Sequence, residues 1–81
     1  MSLTQESLIT FVQDSLLRGN ETIDAEESLI DRGLVDSIGL MQLMGFIEEN
    51  AGVRIPDHLI TPDNFQSVTA MMTLVEDLKK G

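Results

Sequence analysis

Three stretches of this chain repeat apolar residues at the spacing of a helix with one buried face, and that repeat constrains the fold most. In residues 4–17, Leu8, Val12 and Leu16 fall about one turn apart, with Ile9, Phe11 and Ser15 alongside. In residues 37–50, Leu40, Leu43, Met44 and Ile47 stand at i, i+3, i+4 and i+7. In residues 67–79 the stripe is Val68, Met71, Met72, Val75 and Leu78. This periodicity predicts three amphipathic helices. A chain of 81 residues is one domain, spanning 1–81, with a modest core. It has no Trp or Tyr and only three Phe, so Leu, Ile, Val and Met must build that core, as helical bundles allow.

The ends of the helices carry their own signals. Ser2 with Gln5 makes a capping-box pattern, and Thr4 makes a less complete one. Arg18-Gly19-Asn20 stops the first helix, with Gly19 as the residue just past its end. Asp36 is a good N-cap for the second helix, because its carboxylate can accept a bond from an orphan N–H of the first turn. Ser37 then takes the first helical position, with its hydroxyl near the helix mouth. Gly39 and Gly45 lie inside this helix, where each costs about 1 kcal/mol relative to alanine. Close approach of a partner or cofactor and simple tolerance by the packing both account for them. Ala51-Gly52 ends the helix. Ser67 caps the last one, and Lys79 and Lys80 suit the negative end of its dipole.

Two connections join the helices. Residues 20–36 are long and acidic, with Glu21, Asp24, Glu26, Glu27 and Asp31. Ile23, Leu29, Ile30, Leu34 and Val35 are the expected anchors that pin this segment over the bundle. A loop this long in so small a domain is usually functional or anchored. In residues 51–66, Val53 and Ile55 return to the core and Pro56 opens a turn. His58 to Thr61 suit a short helical turn. In Thr61-Pro62-Asp63-Asn64-Phe65, Phe65 is the expected core plug and Asn64 a local cap.

Composition removes whole classes of function. A net charge of −9 argues against nucleic acid, whose phosphates need clustered Lys and Arg. It favours solubility and encounter with basic surfaces. Without cysteine there is no disulfide, thiolate metal site or cysteine nucleophile, so thioester chemistry needs a thiol from outside the chain. One histidine, His58, argues against a transition-metal site, and the acidic loop lacks the EF-hand pattern. Met1 to Phe11 lacks the basic and apolar regions of a signal peptide. No apolar run approaches the roughly 20 residues that span a bilayer. The expectation is a soluble cytoplasmic monomer.

A helix N-terminus favours an anion, since backbone N–H groups and the dipole both point there. A surface serine at that place can carry a phosphodiester at low electrostatic cost. The run Gly33-Leu34-Val35-Asp36-Ser37-Ile38, followed by further apolar helix positions, resembles the Gly-x-x-Asp-Ser-[Leu/Ile] signature of the acyl and peptidyl carrier proteins. The likeness extends over essentially the whole chain. It implies an all-α, four-helix bundle with three longer helices and one short one. It implies that 4′-phosphopantetheine, donated by coenzyme A, is esterified to Ser37, and that acyl or aminoacyl groups ride as thioesters on its thiol. Asp36 would match the acidic residue that docks the modifying transferase. Ile38, Met41, Gln42 and Glu48 would shape the surface that meets partner enzymes. Those partners are a phosphopantetheinyl transferase, an acyl- or aminoacyl-activating ligase and downstream acyl-processing enzymes. The protein itself would not be an enzyme.

The chain departs from the carrier of fatty acid synthesis at two positions. Gln42 stands where that carrier has an exposed acid, and Gly45 replaces a bulkier apolar residue. Thr61-Pro62-Asp63-Asn64-Phe65 resembles a run in carriers of nonribosomal peptide synthesis and D-alanine transfer. Both features tilt the expectation towards aminoacyl or specialised metabolism, with fatty acyl, polyketide, aminoacyl and D-alanyl cargoes all open. The chain starts at its own Met and ends just after the last helix, which suggests a free-standing carrier. The main alternative is an unmodified carrier-like module that binds proteins through the second helix. A serine hydrolase using Ser37 and His58 is a third reading, and His58→Ala separates it from the carrier.

Overall fold

A computed structural model describes residues 3–17, 19, 22–33 and 36–80. Its order is helix α1 (Gln5–Phe11), continued by a π-helical segment Val12–Leu16, then α2 (Ser37–Ala51), two short 3-10 turns (Asp57–Leu59 and Pro62–Phe65), and α3 (Val68–Lys80). Among the described residues there is no strand. The all-helical bundle expected from the three stripes is present. Its fourth, short helix is realised as the two 3-10 turns.

Helix α1 starts at a reciprocal cap between Thr4 and Ser7. The Ser7 N–H donates to Thr4 Oγ1 at 3.0 Å, and the Thr4 N–H donates to Ser7 Oγ at 3.0 Å. Serine thus does the work that glutamate does in the usual box. The Ser2 pattern lies outside the described residues. The expected single helix over 4–17 changes character at Val12. The Leu17 N–H reaches back five residues to the Val12 carbonyl at 3.0 Å, the signature of a π turn. Gly19 has φ +74° and donates to the Gln13 carbonyl at 2.6 Å, so it does end the helix; Arg18 and Asn20 lie outside the described residues.

Leu8, Val12, Leu29, Leu43, Ile47, Phe65, Val68 and Met71 are fully buried. They come from all three helices and both connections, so each helix buries its stripe against the rest of the chain. Burying a side chain such as Phe65 is worth roughly 1.5–3 kcal/mol. Leu74 joins this core from α3, while Met72 and Leu78 sit at its edge. Phe11 and Phe46 stack with ring centroids 4.3 Å apart, closing α1 against α2.

The long connection is pinned by Ile23 and Leu29, as expected. Ile30 is not an anchor: it is 43% exposed. It opens a turn closed by the Gly33 N–H on the Ile30 carbonyl at 2.9 Å, next to the buried Leu29. Leu34 and Val35 lie outside the described residues. Two backbone bonds stitch the connection to the approach to α3, Leu29 N–H to Gln66 O at 2.7 Å and Thr69 N–H to Ala25 O at 2.9 Å. Within it, Arg32 Nε donates to Glu27 Oε2 and its Nη2 reaches the Thr22 carbonyl at 3.3 Å. The Asp24 N–H donates to the other Glu27 oxygen at 3.2 Å. That backbone bond, then Arg32, hold the Glu27 carboxyl below the ordinary glutamate range.

In the second connection Thr61, not Asn64, caps the turn Pro62–Phe65. Asn64 instead donates through Nδ2 to the Leu59 carbonyl at 2.8 Å, tying the two 3-10 turns together. Phe65 is the plug expected of it, with no exposed surface. Ser67 caps α3, accepting from the Ala70 N–H at 3.1 Å.

Candidate functional site

Asp36 is extended, with φ −104° and ψ −175°, and its Oδ1 accepts from the Gly39 N–H at 2.7 Å. Its carbonyl accepts from the Leu40 N–H at 2.8 Å, which starts the helical ladder. The side chain therefore closes one of the orphan donors at the mouth of a 15-residue helix. Ser37 follows, exposed at the first helical position. Among the described residues its hydroxyl has no hydrogen-bond partner, and neither Ser37 nor Ile38 finds an acceptor for its N–H. An oxygen that is accessible, unpaired and set at the positive end of a helix suits attachment of a phosphodiester. Gly33, ahead of this mouth, has φ +74°, a conformation a side chain would strain.

The outer face of α2 begins with two large apolar side chains in water. Ile38 and Met41 are each 70% exposed and stand at i and i+3. Gln42 is exposed one turn beyond Ile38. Glu48, towards the far end, is half-buried, and its Oε2 accepts from the Ile55 N–H at 2.9 Å. That bond gives a carboxylate near the negative helix end a structural reason to be there. Gly45 is exposed, and a Cβ built on it meets nothing within 4 Å. Gly39 is buried.

A cleft of about 280 Å³ opens beside Asp36, between the π segment and the first turns of α2. Ser15 and Leu16 wall it on one side, with Asp36, Ile38 and Gln42 on the other. The sequence gives no sign of it, because the π turn that carries Ser15 and Leu16 has the same apolar spacing as an ordinary helix. His58 is exposed on the turn Asp57–Leu59, and among the described residues no hydrogen bond joins it to Ser37. Among the described residues no cluster of His, Asp and Glu is arranged to hold a metal ion. Among them, too, no helix is long and apolar enough to cross a membrane.

A small bundle that displays one acid-capped, unpaired hydroxyl beside exposed apolar side chains is built to present a group, in the manner of a carrier module. A family model described as the phosphopantetheine attachment site matches residues 6–75, and the chain belongs to this phosphopantetheine-binding family of carrier proteins. It is similar to a protein described as probable acyl carrier protein PigG, from a Serratia species, with 30% identity over 78 residues covering 95% of this chain and 90% of that one. It is similar also to aminoacyl carrier protein 2 of Bradyrhizobium diazoefficiens, with 33% identity over 73 residues covering 88% and 81%. The protein is thus a carrier of acyl or aminoacyl groups, and its cofactor is 4′-phosphopantetheine, whose thiol holds the cargo as a thioester.

Proposed function

We propose that Ser37 is the residue that carries the phosphopantetheine arm. The observation that supports this best is its exposed, unpartnered hydroxyl at the first position of α2, within the span matched by the family. The phosphodiester would lie against the N–H groups of Ser37 and Ile38, where the helix dipole favours an anion. Asp36 has two tasks in this reading. It holds the first turn in place through Gly39, and its charge meets the transferase. Ile38, Met41 and Gln42 form the contact surface for partner enzymes, with Met41 an adaptable contact. Glu48 adds negative charge further along, in an orientation fixed by Ile55.

The chain performs no bond chemistry in this reading. It raises the effective concentration of a tethered cargo for successive enzymes. Its partners are a phosphopantetheinyl transferase, a ligase that loads an acyl or aminoacyl group, and the enzymes that take it onward. It works as a cytoplasmic monomer. The names of the two relatives, together with Gln42 and the Thr61–Phe65 run, favour an aminoacyl or other specialised cargo over housekeeping fatty acid synthesis.

The test is an intact mass after incubation with coenzyme A and a broad-specificity phosphopantetheinyl transferase. Wild type gains one phosphopantetheine, and Ser37→Ala gains none while remaining folded. No gain by folded wild type would refute the assignment and leave an unmodified interaction module in its place.

A further inference from the structure

The segment that leads to α2 carries a bonded clasp that the carrier role leaves unexplained. Arg32 is the one base among residues 22–33, against four acids. Its Nε donates to Glu27 Oε2, and its Nη2 reaches the Thr22 carbonyl at 3.3 Å. The other Glu27 oxygen accepts from the Asp24 N–H at 3.2 Å. The start, middle and end of the segment are thus drawn to one point. The two charged side chains are 25% and 32% exposed, so solvent screens their attraction only in part. The middle of the segment is in turn fixed to α3 by the main-chain bonds of Leu29 and Thr69 and by the buried Leu29 side chain. Gly33 follows Arg32 directly, turned at φ +74° with its N–H on the Ile30 carbonyl. It walls one cleft together with Asp36, Ile38 and Gly39. The clasp therefore ends beside the first turn of α2.

We propose that Arg32 is a positioning residue for attachment of the arm: through its clasp on Glu27 it sets the approach to α2 where the modifying transferase reads it. The proposal rests on Ser37 as the attachment residue. Asp36 builds the helix mouth by local bonds to Gly39 and Leu40, and those bonds do not fix what stands next to it. The clasp does so, by holding Gly33 beside that turn. An enzyme that grips the helix mouth and the loop together binds only the molecules in which the two stand in register. When the clasp opens, that competent fraction falls, and the apparent affinity falls by the same factor. The bound complex is the same once formed, so the loss falls on KM and spares kcat.

The test measures loading of the apo protein by a broad-specificity phosphopantetheinyl transferase at saturating coenzyme A, followed by intact mass. Glu27→Gln keeps an oxygen for the Asp24 N–H and removes the ion pair, and Arg32→Gln removes the pair from the other side. Each is expected to raise the KM for the carrier roughly two- to five-fold at unchanged kcat, the range that a partly exposed ion pair sets. The double variant keeps the net charge of wild type and is expected to match the single variants, since there is one clasp to lose. Simple charge steering towards a basic enzyme predicts the opposite sign. Arg32→Gln, the more negative chain, would then lower KM, and the double variant would behave as wild type; either result would overturn the proposal. Amide hydrogen exchange gives a second reading. The Gly33 N–H should exchange faster in all three variants, while the Leu43 N–H in the buried face of α2 stays protected as in wild type. Faster exchange at Gly33 with an unaltered KM would leave the clasp a purely structural role and overturn the proposal alone. A folded wild-type chain that gains no mass would overturn the Ser37 assignment, and this proposal with it.

Discussion

Replacing Gly45 by alanine tests the claim that this glycine serves nothing inside the chain. The residue lies in the interior of α2, is exposed, and has open space where a Cβ would go. No steric term opposes the substitution, and little surface is buried by it. What remains is backbone entropy, which favours alanine in a helix interior by about 0.8–1.0 kcal/mol. For a domain of this size about 1 kcal/mol moves Tm by roughly 4–8 °C. Thermal unfolding of the apo protein, followed by circular dichroism at 222 nm, is therefore expected to show Gly45→Ala melting higher by that amount. Gly52→Ala is the control of opposite sign. Gly52 ends the same helix at φ +68° with its N–H on the Glu48 carbonyl at 3.1 Å. A left-handed residue other than glycine costs roughly 1–2 kcal/mol, so that variant should melt lower. A Gly45→Ala protein that melts at or below the wild-type temperature would refute the reasoning. If it melts higher but accepts phosphopantetheine more slowly, the glycine is kept for the close approach of a partner.

Further expectations follow from individual bonds. Asp36→Asn keeps an oxygen for the Gly39 N–H and should stay within about 0.5 kcal/mol of wild type, whereas Asp36→Ala should lose about 1 kcal/mol in urea unfolding. If the transferase reads the charge, both variants load slowly by mass; normal loading of Asp36→Asn would leave Asp36 with only its capping task. Glu48→Ala removes the acceptor of the half-buried Ile55 N–H and should cost about 1 kcal/mol, seen as a lower urea midpoint without loss of helix. The lowered Glu27 carboxyl favours the folded state at neutral pH. That contribution is complete above the ordinary glutamate pKa and disappears as pH falls through the lower folded value. The urea midpoints of wild type and Glu27→Gln should therefore converge as pH is lowered from 7 into the acid range, and a constant gap would exclude the mechanism.

The helices were legible because a single stripe of Leu, Ile, Val and Met decides which face each one buries. The mouth of α2 was legible for a different reason: Asp36 caps through a local bond that needs no other part of the chain. Features that depend on distant partners were hidden. Residues 12–16 keep an ordinary helical pattern, yet they form a π segment, and its Gln13 side chain accepts from the Ile23 N–H at 3.1 Å. Ile30 has the side chain of an anchor, but the turn it opens follows the buried Leu29 and leaves Ile30 in water. Thr61 and Asn64 are both plausible caps by type, and only the position of the Leu59 carbonyl separates their roles. Glu48 looks like free surface charge until Ile55 returns from the end of the helix to meet it.

The two backbone bonds that join Leu29 to Gln66 and Ala25 to Thr69 impose an order on biosynthesis. The loop that delivers Asp36 and Ser37 leaves the ribosome well before its stitching partners. Until Gln66 and Thr69 have emerged, Leu29 has neither its main-chain acceptor nor the Phe65, Val68 and Met71 surface that completes the core. A nascent chain can show the serine motif as a string of residues long before it can hold that motif at the mouth of a fixed helix. A modifying enzyme that recognises shape will therefore pass over the growing polypeptide and act on the finished one.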